Sequence, residues 1–128
     1  MRLIDQTAIL GNRRWRDSGV IRSVAFSPDG TRAFSGSDGV VKLWDASHGL
    51  EIASTGTRGH DLVWTIAVAP SVAVVSRGDF LDFHDPATGS VVHTHEKAIG
   101  RTWSVVFPSS GQAVTATDEV VRRWDLGA

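Results

Sequence analysis

The most constraining feature of the sequence is a short motif that occurs three times at a spacing of 40 residues. Each copy ends in an aspartate, and the copies read Lys-Leu-Trp-Asp to Asp45, Asp-Phe-His-Asp to Asp85 and Arg-Arg-Trp-Asp to Asp125. The 128 residues therefore repeat one supersecondary unit. Such a unit is stable only when it stacks on its neighbours.

The apolar residues within each unit alternate with polar ones, and turn-forming residues interrupt each run after a few positions, which indicates short β-strands. Equivalent apolar segments lie upstream of the three motifs, at Ser23–Phe26, Thr65–Val68 and Ser104–Phe107. Four short strands in about 40 residues are typical of one propeller blade. The sequence predicts an all-β fold: three four-stranded antiparallel blades that form an arc or half of a β-propeller.

The predicted units divide the chain into four segments. Residues 15–58 form the first repeat, residues 59–97 form a degenerate second repeat, and residues 98–128 form a third repeat without its outer strand. Residues 1–14 precede the first repeat, and their apolar segment Leu3–Leu10 is a candidate for the missing strand of the last blade.

The composition limits the classes of function. The net charge is −1 and the predicted pI is near 6.5, which gives no electrostatic reason to expect a nucleic acid or an anionic membrane as partner. The absence of cysteine excludes disulfides, thiolate zinc sites and a cysteine nucleophile. We expect no cofactor and, because no export signal is visible, a cytoplasmic location.

The strings Ser23–Gly30 and Ser35–Asp45 together closely resemble a WD40 repeat. The segment Ser104–Asp125 resembles one well, and the second unit does so less because His84 replaces the tryptophan. WD40 blades often contain a hydrogen-bonded His, Ser/Thr, Asp and Trp. By this resemblance the tetrad-like residues are Ser35, Asp38, Trp44, His60, Ser76, Asp79, Thr115, Asp118 and Trp124.

No repeat has all four members of the tetrad, and a partly satisfied buried network reduces stability. We therefore expect other side chains or water to satisfy the three turn aspartates, and we assign Trp44 and Trp124 to the blade cores.

Three blades are too few to close a ring, since propellers have four to eight. Two alternatives follow. Two chains combine as a homodimer with six blades, with Leu3–Leu10 completing the partner's last blade, or the chain is a fragment or subunit of a larger, split propeller.

WD40 propellers mostly act as rigid platforms for proteins or peptides, so the resemblance implies a noncatalytic interaction scaffold. In this family the first residues of the innermost strands commonly face the binding surface. The partner-binding candidates are then Val20, Arg22, Leu62, Trp64, Arg101 and Trp103. Tryptophan and arginine are frequent interface anchors, but the alternative is that both tryptophans pack between blades.

A metal-dependent enzyme is the remaining alternative. His93 and His95 share one face of a predicted strand, and we expect His95 to lie near Asp79. The spacing matches no known metal motif, and the sequence has no nucleophile elbow or phosphate-binding loop. The sequence thus predicts no metal site and no catalytic residue.

Overall fold

The computed structural model describes residues 20–56, 61–95 and 99–126. These residues form three antiparallel sheets. Sheet 1 contains β1 (Ser23–Phe26), β2 (Arg32–Gly36), β3 (Val40–Asp45) and β4 (Leu50–Gly56); sheet 2 contains β5 (Val63–Val68), β6 (Ala73–Arg77), β7 (Phe80–His84) and β8 (Val91–His95); sheet 3 contains β9 (Ser104–Ser109), β10 (Gln112–Ala116) and β11 (Val121–Asp125).

In each sheet the strands pair in chain order, so each sheet is a simple meander. The predicted all-β fold with three antiparallel sheets is confirmed, and within the described residues the sheets do not close into a ring. The segment Leu3–Leu10 lies outside the described residues, as do His60 and all three predicted repeat boundaries, 14/15, 58/59 and 97/98. Within the described ranges no helix could span a bilayer.

The aspartate that ends each of the first two motifs organises the next turn. The Asp45 carboxylate accepts the N–H of Ser47 at 3.0 Å, and its carbonyl accepts the N–H of Gly49 at 2.8 Å. Asp85 repeats both bonds, with Ala87 at 2.9 Å and Gly89 at 2.7 Å. The 40-residue period therefore reports a recurring turn, in which a short carboxylate side chain satisfies backbone donors.

Sheet 2 packs between the other two sheets. One apolar cluster joins sheets 1 and 2 and contains Phe34, Val41, Leu43, Val63, Ile66, Ala73 and Val75. A second cluster joins sheets 2 and 3, with Ala69, Val72, Val74, Leu81 and Phe83 packed against Val105, Phe107 and Trp124. Strand alternation explains this arrangement, because neighbouring residues of β6 point to opposite clusters.

Sheets 1 and 2 approach each other closely at Gly36. A Cβ atom at this position would overlap the side chain of Val63. The glycine lets the end of β2 lie directly on β5, which only a residue without a side chain permits.

The outward faces of sheets 1 and 3 carry exposed apolar side chains. On β1, Ala25 packs into the first cluster, so Val24 and Phe26 point the other way, and Phe26 is 57% exposed. On sheet 3, Val106 and Val121 point away from sheet 2, and Val121 is 73% exposed. Exposed contiguous apolar surface of this kind marks an interaction face in many proteins.

Candidate functional site

The first residues of the three innermost strands occupy equivalent positions. The N–H of Arg22 donates to the carbonyl of Gly36 at 2.8 Å, and that of Trp103 donates to the carbonyl of Ala116 at 2.9 Å, each just before its strand begins. Trp64 lies at a bulge between Val63 and Thr65. A bulge redirects the side chain of the extra residue.

The side chains of Arg22, Trp64 and Trp103 form a stack together with that of Arg101, and we call this group the rim stack. The Trp64 and Trp103 rings lie 5.6 Å apart between centroids and are tilted by 57°. The Arg101 guanidinium lies 4.0 Å from the Trp64 centroid and 5.0 Å from that of Trp103, while Arg22 approaches Trp64 at 5.6 Å. These are cation–π distances, so the side chains of three sheets support one another at one end of the molecule.

Two turn aspartates orient the outer members of the rim stack. The Asp38 carboxylate accepts a hydrogen bond from Arg22 Nε at 2.8 Å, and Asp118 accepts one from the indole Nε1 of Trp103 at 2.5 Å. The expectation that other side chains satisfy the turn aspartates is met at these two positions. Asp79 contributes its carbonyl, which accepts the N–H of Ile99 at 2.9 Å.

The rim stack combines packing with exposure. Trp103 is 49% exposed, Arg101 is exposed, and Trp64 is half-buried beneath them. The Trp64 Nε1 atom is buried and has no hydrogen-bond partner among the described residues. The two alternatives for the tryptophans are therefore not exclusive, because Trp64 lies between sheets and Trp103 presents a face to solvent.

The other two partner-binding candidates lie beside the stack. Val20 is exposed just before β1. Leu62 is half-buried and joins sheets 1 and 2 through an isolated β-bridge with Asp38, and its carbonyl accepts the N–H of Gly78 at 2.9 Å. Leu62 therefore fixes the spacing of the two turns that flank the rim.

Two of the three repeats form part of the expected tetrad. The Trp44 Nε1 donates to Ser35 Oγ at 3.0 Å, and the Trp124 Nε1 donates to Thr115 Oγ1 at 2.9 Å. Trp44 is buried, and Trp124 is half-buried against Phe83 and His95.

In sheet 2 the register changes the assignment of Ser76. Ala73 lies opposite His84, as Ala33 lies opposite Trp44. Counting from these pairs, Val75 occupies the position that Ser35 occupies in sheet 1. Ser76 points to the other face and donates to the carbonyl of Thr102 at 3.1 Å. Ser76 is therefore not a tetrad residue as the resemblance implied, because valine occupies the equivalent position in this sheet.

His84 fills the tryptophan position without a tryptophan's hydrogen bond. Its Nδ1 is 2.9 Å from the carbonyl of Gly89, its ring meets Phe34 edge to face at 6.2 Å, and its Nε2 is buried without a partner among the described residues. Burial lowers the pKa of His84, although the Gly89 carbonyl opposes this shift. A neutral imidazole therefore replaces the indole in the core.

A buried ionic network on the same face of sheet 2 was missed by the sequence reasoning. Arg77 Nε donates to Asp82 at 2.6 Å and its Nη1 to Asp61 at 3.0 Å, and Thr94 donates to Asp82 at 2.8 Å. Burial alone would lower the pKa of Arg77, but the bonds to Asp82 and Asp61 raise it above its usual value. One sequence feature could have indicated this network: the second repeat has an acidic residue, Asp82, where the other repeats have the basic residues Lys42 and Arg122.

The structure does not assemble the histidine–aspartate group considered as a metal site. His93 and His95 lie opposite Phe83 and Leu81 in the β7–β8 ladder. The His93 ring contacts Phe83 at 5.7 Å and the His95 ring contacts Trp124 at 4.9 Å. In the part of the chain that the structure describes, no three His, Asp or Glu side chains are placed to hold a metal ion. Both histidines act in apolar packing.

The sequence of the first repeat matches a known family model. Residues 10–45 match the family model of the WD40 repeat, whose description is WD domain, G-beta repeat. The described part of the match, from residue 20, covers the first three strands of sheet 1 and the Arg22–Asp38 pair. The match supports the resemblance that the sequence motifs indicated.

Proposed function

We propose that this WD40-repeat chain is a noncatalytic scaffold that binds a protein or peptide at the rim stack. WD40 repeats are common in interaction scaffolds, and their domains are generally noncatalytic. The observation that carries the proposal is the convergence of Arg22, Trp64, Arg101 and Trp103 at one end of three sheets, with Trp103 half exposed. Rigid aromatic and arginine side chains in such an arrangement supply large contact area at small entropic cost.

The rim stack is preorganised for binding. Its cation–π contacts and the bonds to Asp38 and Asp118 already restrict the rotamers of the exposed side chains. The rim-stack side chains therefore lose less conformational entropy when a partner binds than flexible arginines would.

Affinity capture from the source cell tests the proposal. The wild-type chain is compared with the triple variant Arg22→Ala, Trp64→Ala, Trp103→Ala, and a control variant carries Leu50→Ala and Arg123→Ala at exposed positions away from the rim stack. We expect proteins that the wild type and the control capture and the triple variant loses. Trp103→Ala alone should show the same loss while retaining its circular dichroism spectrum. Equal capture by all folded variants contradicts the proposal.

We also propose that two copies of the chain join into one ring of six blades. The supporting observations are the apolar outward faces of sheets 1 and 3, which would face each other between copies, and the edge position of β11 in the described chain. A groove of about 300 Å³ lies at this edge and is lined by Val72, Phe83, Val92, His93, Trp124, Asp125 and Leu126. It lies where a fourth strand of sheet 3 would pack, and the apolar segment Leu3–Leu10 of the second copy is the proposed occupant.

Analytical ultracentrifugation tests the ring. We expect a dimer at micromolar concentration for the wild type and a weaker dimer after deletion of residues 1–10. A stable, folded monomer overturns the homodimer. A chain that becomes soluble only on co-expression with another propeller fragment supports the split-propeller alternative instead.

A further inference from the structure

Arg101 differs from Arg22 in how its charge is compensated. Arg22 is held by the Asp38 carboxylate at 2.8 Å. Arg101 is exposed, and within the ranges that the structure describes it makes no ion pair. The aromatic contacts at 4.0 and 5.0 Å therefore hold the Arg101 guanidinium in place. Among the described residues, no carboxylate neutralises its charge.

Two tryptophan rings hold the Arg101 guanidinium in place. A cation–π contact engages the charge of the guanidinium and does not use up its hydrogen bonds, so the N–H donors that do not point at the rings remain available to a ligand. An edge of a guanidinium matches the two oxygens of a carboxylate, and the resulting paired hydrogen bonds are charge-assisted. Fixing the guanidinium before the ligand arrives reduces the entropic cost of forming this pair.

The surroundings of Arg101 favour a single negative charge on the ligand. The charge of Asp38 is compensated by Arg22, whereas Asp118 is bonded to the neutral indole of Trp103 and would repel a dianion such as a phosphate monoester more strongly than a carboxylate. The exposed face of Trp103 beside Arg101 offers apolar area to an adjoining side chain.

We propose that Arg101 binds a carboxylate of a partner peptide and that Trp103 packs against a neighbouring apolar or aromatic side chain of that peptide. This inference rests on the proposed function of the rim stack. It adds the partner's chemistry, an acidic residue or a C-terminal carboxylate next to an apolar residue.

Peptide titration followed by NMR tests the inference. The probes are acetyl-Phe-Glu-Phe-amide, its counterpart with Gln in place of Glu, and acetyl-Phe-Phe with a free C-terminal carboxylate. We expect the Arg101 Nε–H resonance to shift with a carboxylate peptide and not with the Gln peptide. The acidic and the C-terminal probes separate the two sources of the carboxylate.

Variants define the contribution of the charge. Arg101→Gln should weaken binding of the carboxylate peptides about tenfold or more, since it removes a charge-assisted pair. Arg123→Gln, a matched change at another exposed arginine, should leave binding unchanged. Equal binding of the Glu and Gln peptides, or equal weakening by the two variants, overturns the inference.

The two proposals fail in different ways. If Trp103→Ala abolishes capture of the cellular partner and Arg101→Gln does not, the rim stack binds the partner without reading a carboxylate. If neither change affects capture, the proposed function itself is wrong.

Discussion

Sheets 2 and 3 carry the same recurring sequence motif, yet their equivalent strands are buried to different degrees. Every residue of β6 is buried, whereas burial alternates along β10, and β11 is mostly exposed or half-buried where β7 is almost fully buried. Sheet 2 has a neighbour on both faces, and sheet 3 has one on a single face in the described chain. Burial in a stack of sheets is therefore set by position in the stack.

Resemblance to the repeat motif does not predict which sheet is central. The second repeat has the weakest resemblance to the WD40 motif, but its sheet lies between the other two sheets. A central sheet can replace the tryptophan with His84 and can hold a buried ion network, because two apolar clusters surround it. Its departures from the motif are consistent with this environment.

The largest expected effect is at the ion network of sheet 2. Arg77→Ala should reduce the free energy of unfolding by about 3–5 kcal/mol, because Asp82 is left as a buried unpaired charge. Urea denaturation measures the change. The double variant Arg77→Ala, Asp82→Ala should recover part of the loss, and a loss below about 1 kcal/mol would indicate that this pair behaves like an exposed one.

A valine pair compares the central and outer sheets directly. Val75 in β6 is fully buried and Val121 in β11 is exposed. Val75→Ala should lower stability by about 2 kcal/mol, as expected for removing buried methyl groups, and Val121→Ala should change the monomer's stability by less than about 0.5 kcal/mol. Similar losses in urea denaturation would mean that sheet 3 is covered as well as sheet 2.

A glycine pair tests the contact between sheets 1 and 2. Gly36→Ala should destabilise by about 1–3 kcal/mol, since its Cβ would overlap Val63. A Cβ at Gly111 would meet only open space, and Gly111→Ala should be neutral or slightly stabilising. Thermal unfolding of both variants measures the difference, and a neutral Gly36→Ala would show that the two sheets can separate at this point.

The pH dependence of stability tests the replacement of tryptophan by His84 in the central sheet. The pKa of His84 is lowered from 6.5 by burial, so the unfolded chain binds this proton more tightly than the folded chain. The contribution of His84 is present above pH 6.5 and should decline as the pH falls below it, by at most about 1.4 kcal/mol per pH unit.

The midpoints of urea denaturation should follow this decline when measured from about one pH unit above to about one and a half units below the usual histidine pKa. His84→Phe should flatten the profile, and His93→Gln, at an exposed position, should keep it. If His84→Phe leaves the dependence of the urea midpoint on pH unchanged, other titratable groups cause that dependence.

Much of the fold follows from local patterns. The aspartate turns at Asp45 and Asp85 and the strand alternation depend on residues close in sequence, and they were predictable. The sequence placed Val20, Leu62 and Arg101 among the first residues of the innermost strands, but the ladders begin at Ser23, Val63 and Ser104. The residues between belong to the rim, where backbone pairing gives way to side-chain contacts.

The candidate site was only partly predictable. The equivalence of Arg22, Trp64 and Trp103 follows from the repeat, but the cation–π contacts depend on the bulge at Trp64, which has no local signal. The bonds Arg22–Asp38 and Trp103–Asp118 form between residues 16 and 15 positions apart and depend on the β-sheet turns. Ser76 was misassigned because a one-residue register error exchanges the two faces of a strand.

Amide hydrogen exchange of the monomeric chain tests the stacked arrangement most directly. We expect the amides of β6, Ala73–Arg77, to exchange slowest and to open only with global unfolding, and those of β11, Val121–Asp125, to exchange much faster through local opening. Equal protection of β6 and β11, or faster exchange in β6, would contradict a central sheet enclosed by its two neighbours.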